Sequence, residues 1–171
     1  SSIANAAGNA RLLANVVQEV KQLENELVLQ EAELENQQHE LNRVVENTNA
    51  GFDRRRQALR KLEQETISFR EKEAQLAQKK FQQTKLEIEQ ENNLQFERDA
   101  SIEQINETAK ANDLAEDEIK KLNEAYATSE GAQRDLAKSA QEFAEKQREL
   151  NEAIEDSIEL ANELAEESRR D

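Results

Sequence analysis

Apolar residues recur along the chain in a narrow, regular stripe. Leu13, Val20, Leu27, Leu34 and Leu41 stand seven apart, with Ala10, Val17 and Val45 at the interleaved spacing. Such spacing places one apolar seam on a helix, as in a coiled coil. The second set of that seam is read as interrupted by Glu24, Glu31 and Gln38, polar substitutions that cost stability and set register or partner choice. Leu59, Leu62, Phe69 and Leu76 repeat the rhythm, and Phe81 and Ile88 carry it on in a shifted phase, as a stutter produces. Ile102, Ile105 and Ala109 form a short stripe, followed by Ile119, Leu122 and Tyr126. The last stretch is regular again, with Leu136, Phe143, Leu150 and Leu164 at multiples of seven and Ala140, Ile154 and Ala161 between them.

Interruptions divide the pattern. Asn47-Thr48-Asn49-Ala50-Gly51 clusters turn formers, and a left-handed Gly51 would end one helix before Phe52-Asp53 opens the next. Asn92-Asn93 is a lesser candidate break. Near 111–113, Asp113 with Glu116 three residues on resembles a capping box and predicts a helix start. Thr128-Ser129-Glu130-Gly131 offers a turn or kink before the final helix. The expected fold class is all-α: an elongated antiparallel helical hairpin or bundle with coiled-coil packing. It has about three to four long helices in a single domain over residues 1–171, with breaks near 47–51, 111–113 and 128–131.

Composition supports long helices and excludes much else. The chain has no Pro and three Gly among 171 residues, so nearly everything that breaks a helix is missing. Hydrophobic residues make up 36% and aromatic residues 4%, too few for a thick globular core. No Cys is present, which removes disulfides, thiolate metal sites and cysteine nucleophiles. No apolar run approaches the roughly 20 residues of a membrane span. The start, Ser1-Ser2-Ile3, has neither a Met nor a basic signal-like segment and reads as that of a processed chain.

The net charge of −15 opposes nucleic acid and anionic membranes. It is also uneven. Residues 53–85 hold ten Lys or Arg against five Asp or Glu, whereas residues 112–171 hold eight against eighteen. That contrast predicts attraction, either between neighbouring copies or between the second helix and the last. Arg54, Arg55, Arg56, Arg60 and Lys61 form the densest basic patch, but no aromatic platform accompanies it.

Few groups suggest chemistry. Glu145, Glu149, Glu152, Asp156, Glu159, Glu163 and Glu166 alternate at four and three residues, one acidic stripe away from the apolar seam. Carboxylates at helical spacing repel one another until neutralised. The first six are therefore candidates for low-affinity, multi-site calcium binding, and the whole stripe for docking on a basic protein surface; a solvated outer face is the alternative. His39 is the only histidine and has no companions for catalysis or metal binding. Asn106-Glu107-Thr108 fits the glycosylation sequon. No constellation reads as an active site, so the chain is expected not to be an enzyme, and no cofactor is expected beyond calcium.

The small acidic chain, abundant Gln, absent Cys, processed-looking start and heptads such as Leu13-Val20-Leu27-Leu34-Leu41 and Leu136-Phe143-Leu150 resemble the trichocyst matrix and granule lattice proteins of ciliates. The resemblance is one of composition and periodicity along the whole chain, and tropomyosin-like filament proteins share much of it. It implies a processed helical chain that co-assembles in a secretory granule, or acts outside the cell, within a lattice that expands on meeting calcium.

The residues thus point to a structural protein that assembles with itself or related helical chains into a filament or lattice. The expected seam is Leu13, Val20, Leu27, Leu34 and Leu41, with Leu136, Phe143, Leu150, Ile154 and Leu164 in the last helix. The alternative is a helical binding module or surface adhesin that recognises a protein or lipid partner.

Overall fold

A computed structural model describes the backbone of residues 2–170 and the side chains of residues 7–170. The protein is all-α. Its helices are α1 (Ser2–Glu46), α2 (Phe52–Asn92), α3 (Ile102–Ala111) and α4 (Glu116–Arg170). No strand occurs among the described residues.

The chain leaves helix at three places, each closed by local chemistry. After α1, Asn47 makes the turn: its Oδ1 accepts from Asn49 N at 3.0 Å and its carbonyl from Ala50 N at 3.1 Å. This is the Asx-turn use of a short polar side chain. Gly51, expected to be left-handed, has no positive φ. It sits instead just before α2, where its carbonyl accepts the first helical bond from Arg55 N at 3.1 Å, a position where Gly is tolerated.

The other two closures are left-handed caps on residues other than Gly. Asn93 has φ 51° and Asp113 has φ 53°. Leu94 N reaches back to Glu89 O at 3.2 Å and Leu114 N to Ala109 O at 3.0 Å, with Asp113 N on Lys110 O at 3.1 Å. These bonds satisfy the last carbonyls of α2 and α3, and the leucine after each cap turns into the core. Asp113, expected to begin a helix, therefore ends one. The capping box lies upstream at α3, where Ser101 Oγ accepts from Gln104 N and Ser101 N donates to Gln104 Oε1, at 3.2 and 2.9 Å.

The expected interruption at Thr128–Gly131 is helical and interior to α4. Thr128 returns its hydroxyl to Glu124 O at 2.9 Å, and Ser129 is buried. Gly131 costs the helix about 1 kcal/mol relative to Ala, which packed neighbours absorb.

The residues form two compact units. One comprises Ser1–Gln30 with Phe69–Leu136, and the other Glu31–Ser68 with Ala137–Asp171. In the first, Val16 and Val20 of α1 pack on Leu86 of α2, joined by Leu13 and Leu76. A second cluster gathers Ile88, Phe96, Ile105, Ala109, Leu114 and Leu122 from α2, α3, α4 and their connections. Leu122 is fully buried there, and Phe81 meets Tyr126 edge-on at 5.6 Å. In the second unit, Leu59 and Leu62 of α2 pack against Phe143 and Leu150 of α4, flanked by Leu41, Val45 and Phe52.

The α1 seam departs in part from the expected one: Val17 and Val45 are partly buried and Val45 packs on the second unit's cluster, but Ala10 is exposed. Leu13, Val20, Leu27, Leu34 and Leu41 do face inward, and along the middle of the helix their companions stand three residues on, not four: Leu23, Gln30 and Gln37, with Val16 and Val44 inward at the ends. Glu24, Glu31 and Gln38 are exposed. The seam is thus more apolar than expected, with glutamines replacing aliphatics at only two of its positions.

Truncating Leu122 to Ala removes a fully buried side chain and is expected to cost about 2–5 kcal/mol in denaturant unfolding. Gly131→Ala has the opposite sign. A Cβ there meets only Arg134 Nη2 at 3.9 Å, so the variant is expected to gain about 0.5–1 kcal/mol.

Candidate functional site

Helix α4 carries both the acidic stripe and the end of the last seam. In the second unit it runs antiparallel to α2. Gln147 Nε2 donates to Glu63 Oε2, and Leu150 and Asn151 stand beside Arg56, Leu59 and Arg60. Continuing that register brings Ile154 level with the first turn of α2. Beyond it the helix has no cover: every residue from 155 to 170 is exposed.

The seam of α4 does not stop where its partners do. Leu136 is partly buried, Phe143 and Leu150 are buried, and Ile154 packs on their cluster. Past Ile154 the same side of the helix continues through Ile158, Ala161, Leu164 and Ala165, with Leu160 at its margin. Ile158, Leu160 and Leu164 are 56%, 57% and 57% exposed. At 100° per residue these five residues fall within an arc of about 160°. Glu155, Asp156, Glu159, Glu163, Glu166 and Glu167 occupy the opposite arc.

Of the expected seam residues, the structure takes up all but Leu164 within the chain's own packing. The calcium candidates Glu145, Glu149, Glu152, Asp156, Glu159 and Glu163 are all exposed on one face of α4. They are not brought together: among the described residues no group of three or more carboxylate or imidazole side chains is placed to hold a metal. Arg148 bridges two of them, contacting Glu145 at 3.3 Å and Glu152 at 2.9 Å.

Within the chain, charge attraction joins α2 to α1 and not, as one of the two expectations had it, to the last helix. Among the described residues, the ion pairs that cross between helices run from α2 to α1: Lys79 to Glu19 at 2.6 Å, Lys80 to Glu24 at 3.5 Å and Lys72 to Glu26 at 3.8 Å. Each is partly exposed and contributes about 0–1 kcal/mol. Contact between α2 and the last helix in the second unit is instead apolar, with Gln147 on Glu63 beside it. Gln37 of α1, with its amide turned to donate, reaches Glu65 Oε1 and Oε2 at 2.7 and 2.8 Å.

Other candidates resolve into structural roles. Arg55 of the basic patch donates from Nε to Val45 O at 2.9 Å and lies over the Phe52 ring, closing the end of α1. His39 is exposed on α1. Asn106 of the sequon is held within α3: its Nδ2 donates to Asn123 Oδ1 at 3.0 Å and to Ile102 O at 2.8 Å, and Asn123 returns a bond at 2.8 Å. A glycan on that nitrogen would break this pair. Among the described residues no helix is long and apolar enough to cross a membrane.

Sequence patterns did not reveal Glu89. It is buried at the end of α2, and its Oε2 accepts from Phe96 N at 3.0 Å. Burial raises its pKa, while the Phe96 hydrogen bond and nearby Lys85 act the other way. Its only signal in the sequence is a carboxylate between Ile88 and a chain break.

No protein family matches the chain, and no curated protein or solved structure is similar to it.

A carboxylate whose pKa is raised on folding binds its proton more tightly in the folded state, so its contribution to stability declines as pH rises from the ordinary glutamate range through the folded value. Glu89→Gln keeps an acceptor for Phe96 N without the charge. Thermal unfolding is expected to show the Gln variant gaining on the native protein from pH 4 to pH 7. Glu89→Ala leaves a buried N–H without its acceptor and is expected to lose about 1–3 kcal/mol.

Proposed function

We propose that this chain is a structural protein that assembles with copies of itself or with related helical chains. The observation that carries the reading is the last part of α4, where the apolar side holding the second unit together continues past Ile154 with nothing packed on it. An apolar helix face left in water favours association because burial removes that surface from solvent. No catalytic role enters the proposal.

The resemblance to ciliate granule lattice proteins extends it to a calcium-responsive secretory matrix or filament. In that setting the acidic stripe acts through diffuse neutralisation: its carboxylates follow one another along a helix and do not converge on a common point. Divalent ions gathered along such a face weaken repulsion between neighbouring chains.

Sedimentation of the full chain over a concentration series, with and without millimolar calcium, tests both layers. Mass is expected to rise with concentration, and calcium is expected to shift the midpoint. A chain that stays monomeric throughout overturns the assembly reading. Assembly indifferent to calcium overturns the calcium layer alone. Flotation with neutral vesicles would instead point to a lipid-binding module.

A further inference from the structure

The assembly reading leaves open which surface pairs and with what. We propose that residues 155–170 of α4 form an antiparallel two-helix contact with the same segment of a second copy. This rests on the assembly reading and gives it an address.

Three observations select the occupant. First, the uncovered face continues the seam on which α2 packs, so a helix seated there extends an existing packing arrangement. In heptad terms Ser157, Ala161, Leu164 and Ser168 follow Leu150 and Ile154 as core positions.

Second, the positions flanking that core are Ile158, Leu160, Ala165 and Glu167. Flanking positions decide which charges meet across a helix pair. Here only Glu167 is charged, and the other five carboxylates between 155 and 170 lie further from the contact. A second copy can therefore approach this acidic helix without placing like charges face to face. A basic helix seated on the same face would find few of those carboxylates within reach.

Third, orientation follows from the ends. A parallel pair sets the two copies' second units side by side at one end of the contact, where α1 and α2 already surround α4. An antiparallel pair with Ala161 opposite the partner's Leu164 instead places the two second units at opposite ends of the contact. Ser157 then stands opposite the partner's Ser168. The overlap ends where α2 and α1 begin to cover α4, so neither copy disturbs the other's second unit.

The contact is small. Sixteen helical residues span about 24 Å, and two such faces bury well under the roughly 1,200 Å² of a standard stable interface. Pairing is therefore reversible and concentration dependent, one joint among several in an assembly.

The test uses the full chain by sedimentation equilibrium up to millimolar concentration. The double variant I158E/L164E changes two exposed side chains, so helicity and melting temperature are expected to hold while self-association weakens at least tenfold. Reversing charge on the outer face, in E159K/E163K, is expected to leave it within about threefold of the native value, because flanking and outer charges count only where they face the partner. If I158E/L164E associates as the native chain does, this contact is overturned while assembly through another surface stands. If the native chain never associates, both fall.

Orientation is read separately. The chain has no cysteine, so S157C and S168C each introduce a single thiol. Under mild oxidation an equimolar mixture is expected to form the mixed disulfide, with little from either variant alone. Efficient cross-linking of each variant with itself overturns the antiparallel arrangement.

Discussion

Helix α2 is the element on which the other packing depends. Its apolar stripe is buried along much of its length, from Ala58, Leu59 and Leu62 in one unit to Ala74, Ala77, Leu86 and Ile88 in the other. In each unit both α1 and α4 lie against it. Small residues at Ala58, Ala74 and Ala77 let neighbouring helices come close. Large ones between them supply the apolar area, the main source of helix stability in water. The lysines of α2 add partly exposed pairs with α1, which orient more than they stabilise.

Such thin seams give little redundancy, so the polar groups near them matter. Gln37 and Gln147 each find a glutamate of α2, which keeps a hydrogen bond where an aliphatic contact would otherwise sit. Asn106 and Asn123 solve the same problem between α3 and α4 by exchanging bonds with each other and with their own helices. Half-buried polar groups satisfied this way favour one register, because a shifted helix would leave them unpaired. Glu89 plays a comparable part at the end of α2, where its carboxylate holds the backbone of Phe96 as the chain turns toward α3.

The proposed assembly surface lies where packing runs out. The chain uses its seams internally up to Ile154, then leaves a clean amphipathic helix with apolar and acidic sides opposed. Neither side converges on a point, as a metal or catalytic site would need. The arrangement suits contacts spread along a helix, as the proposed assembly would use.

The sequence by itself determined that this protein is all-α and mostly helix, because sevenfold apolar spacing without Pro leaves the backbone no competing periodicity. It also placed Leu13 through Leu41 and Phe143 through Ile154 on inward faces, and marked the turn at residues 47–51. The companion set on α1 was misread because spacings of three and of four both lie close to one helical turn. Hydrophobicity alone already favours Leu23 over Glu24, so Val16, Leu23 and Val44 were a legible signal. Tertiary structure alone decided that Asp113 closes a helix, that Gly131 stays within one and that Glu89 is buried. Two of those outcomes depend on what lies nearby in the fold: a leucine turned into a core, and a backbone N–H in need of an acceptor. The same holds for Leu164. Its spacing is identical to that of Leu150, and only the end of α2 makes one of them core and the other surface.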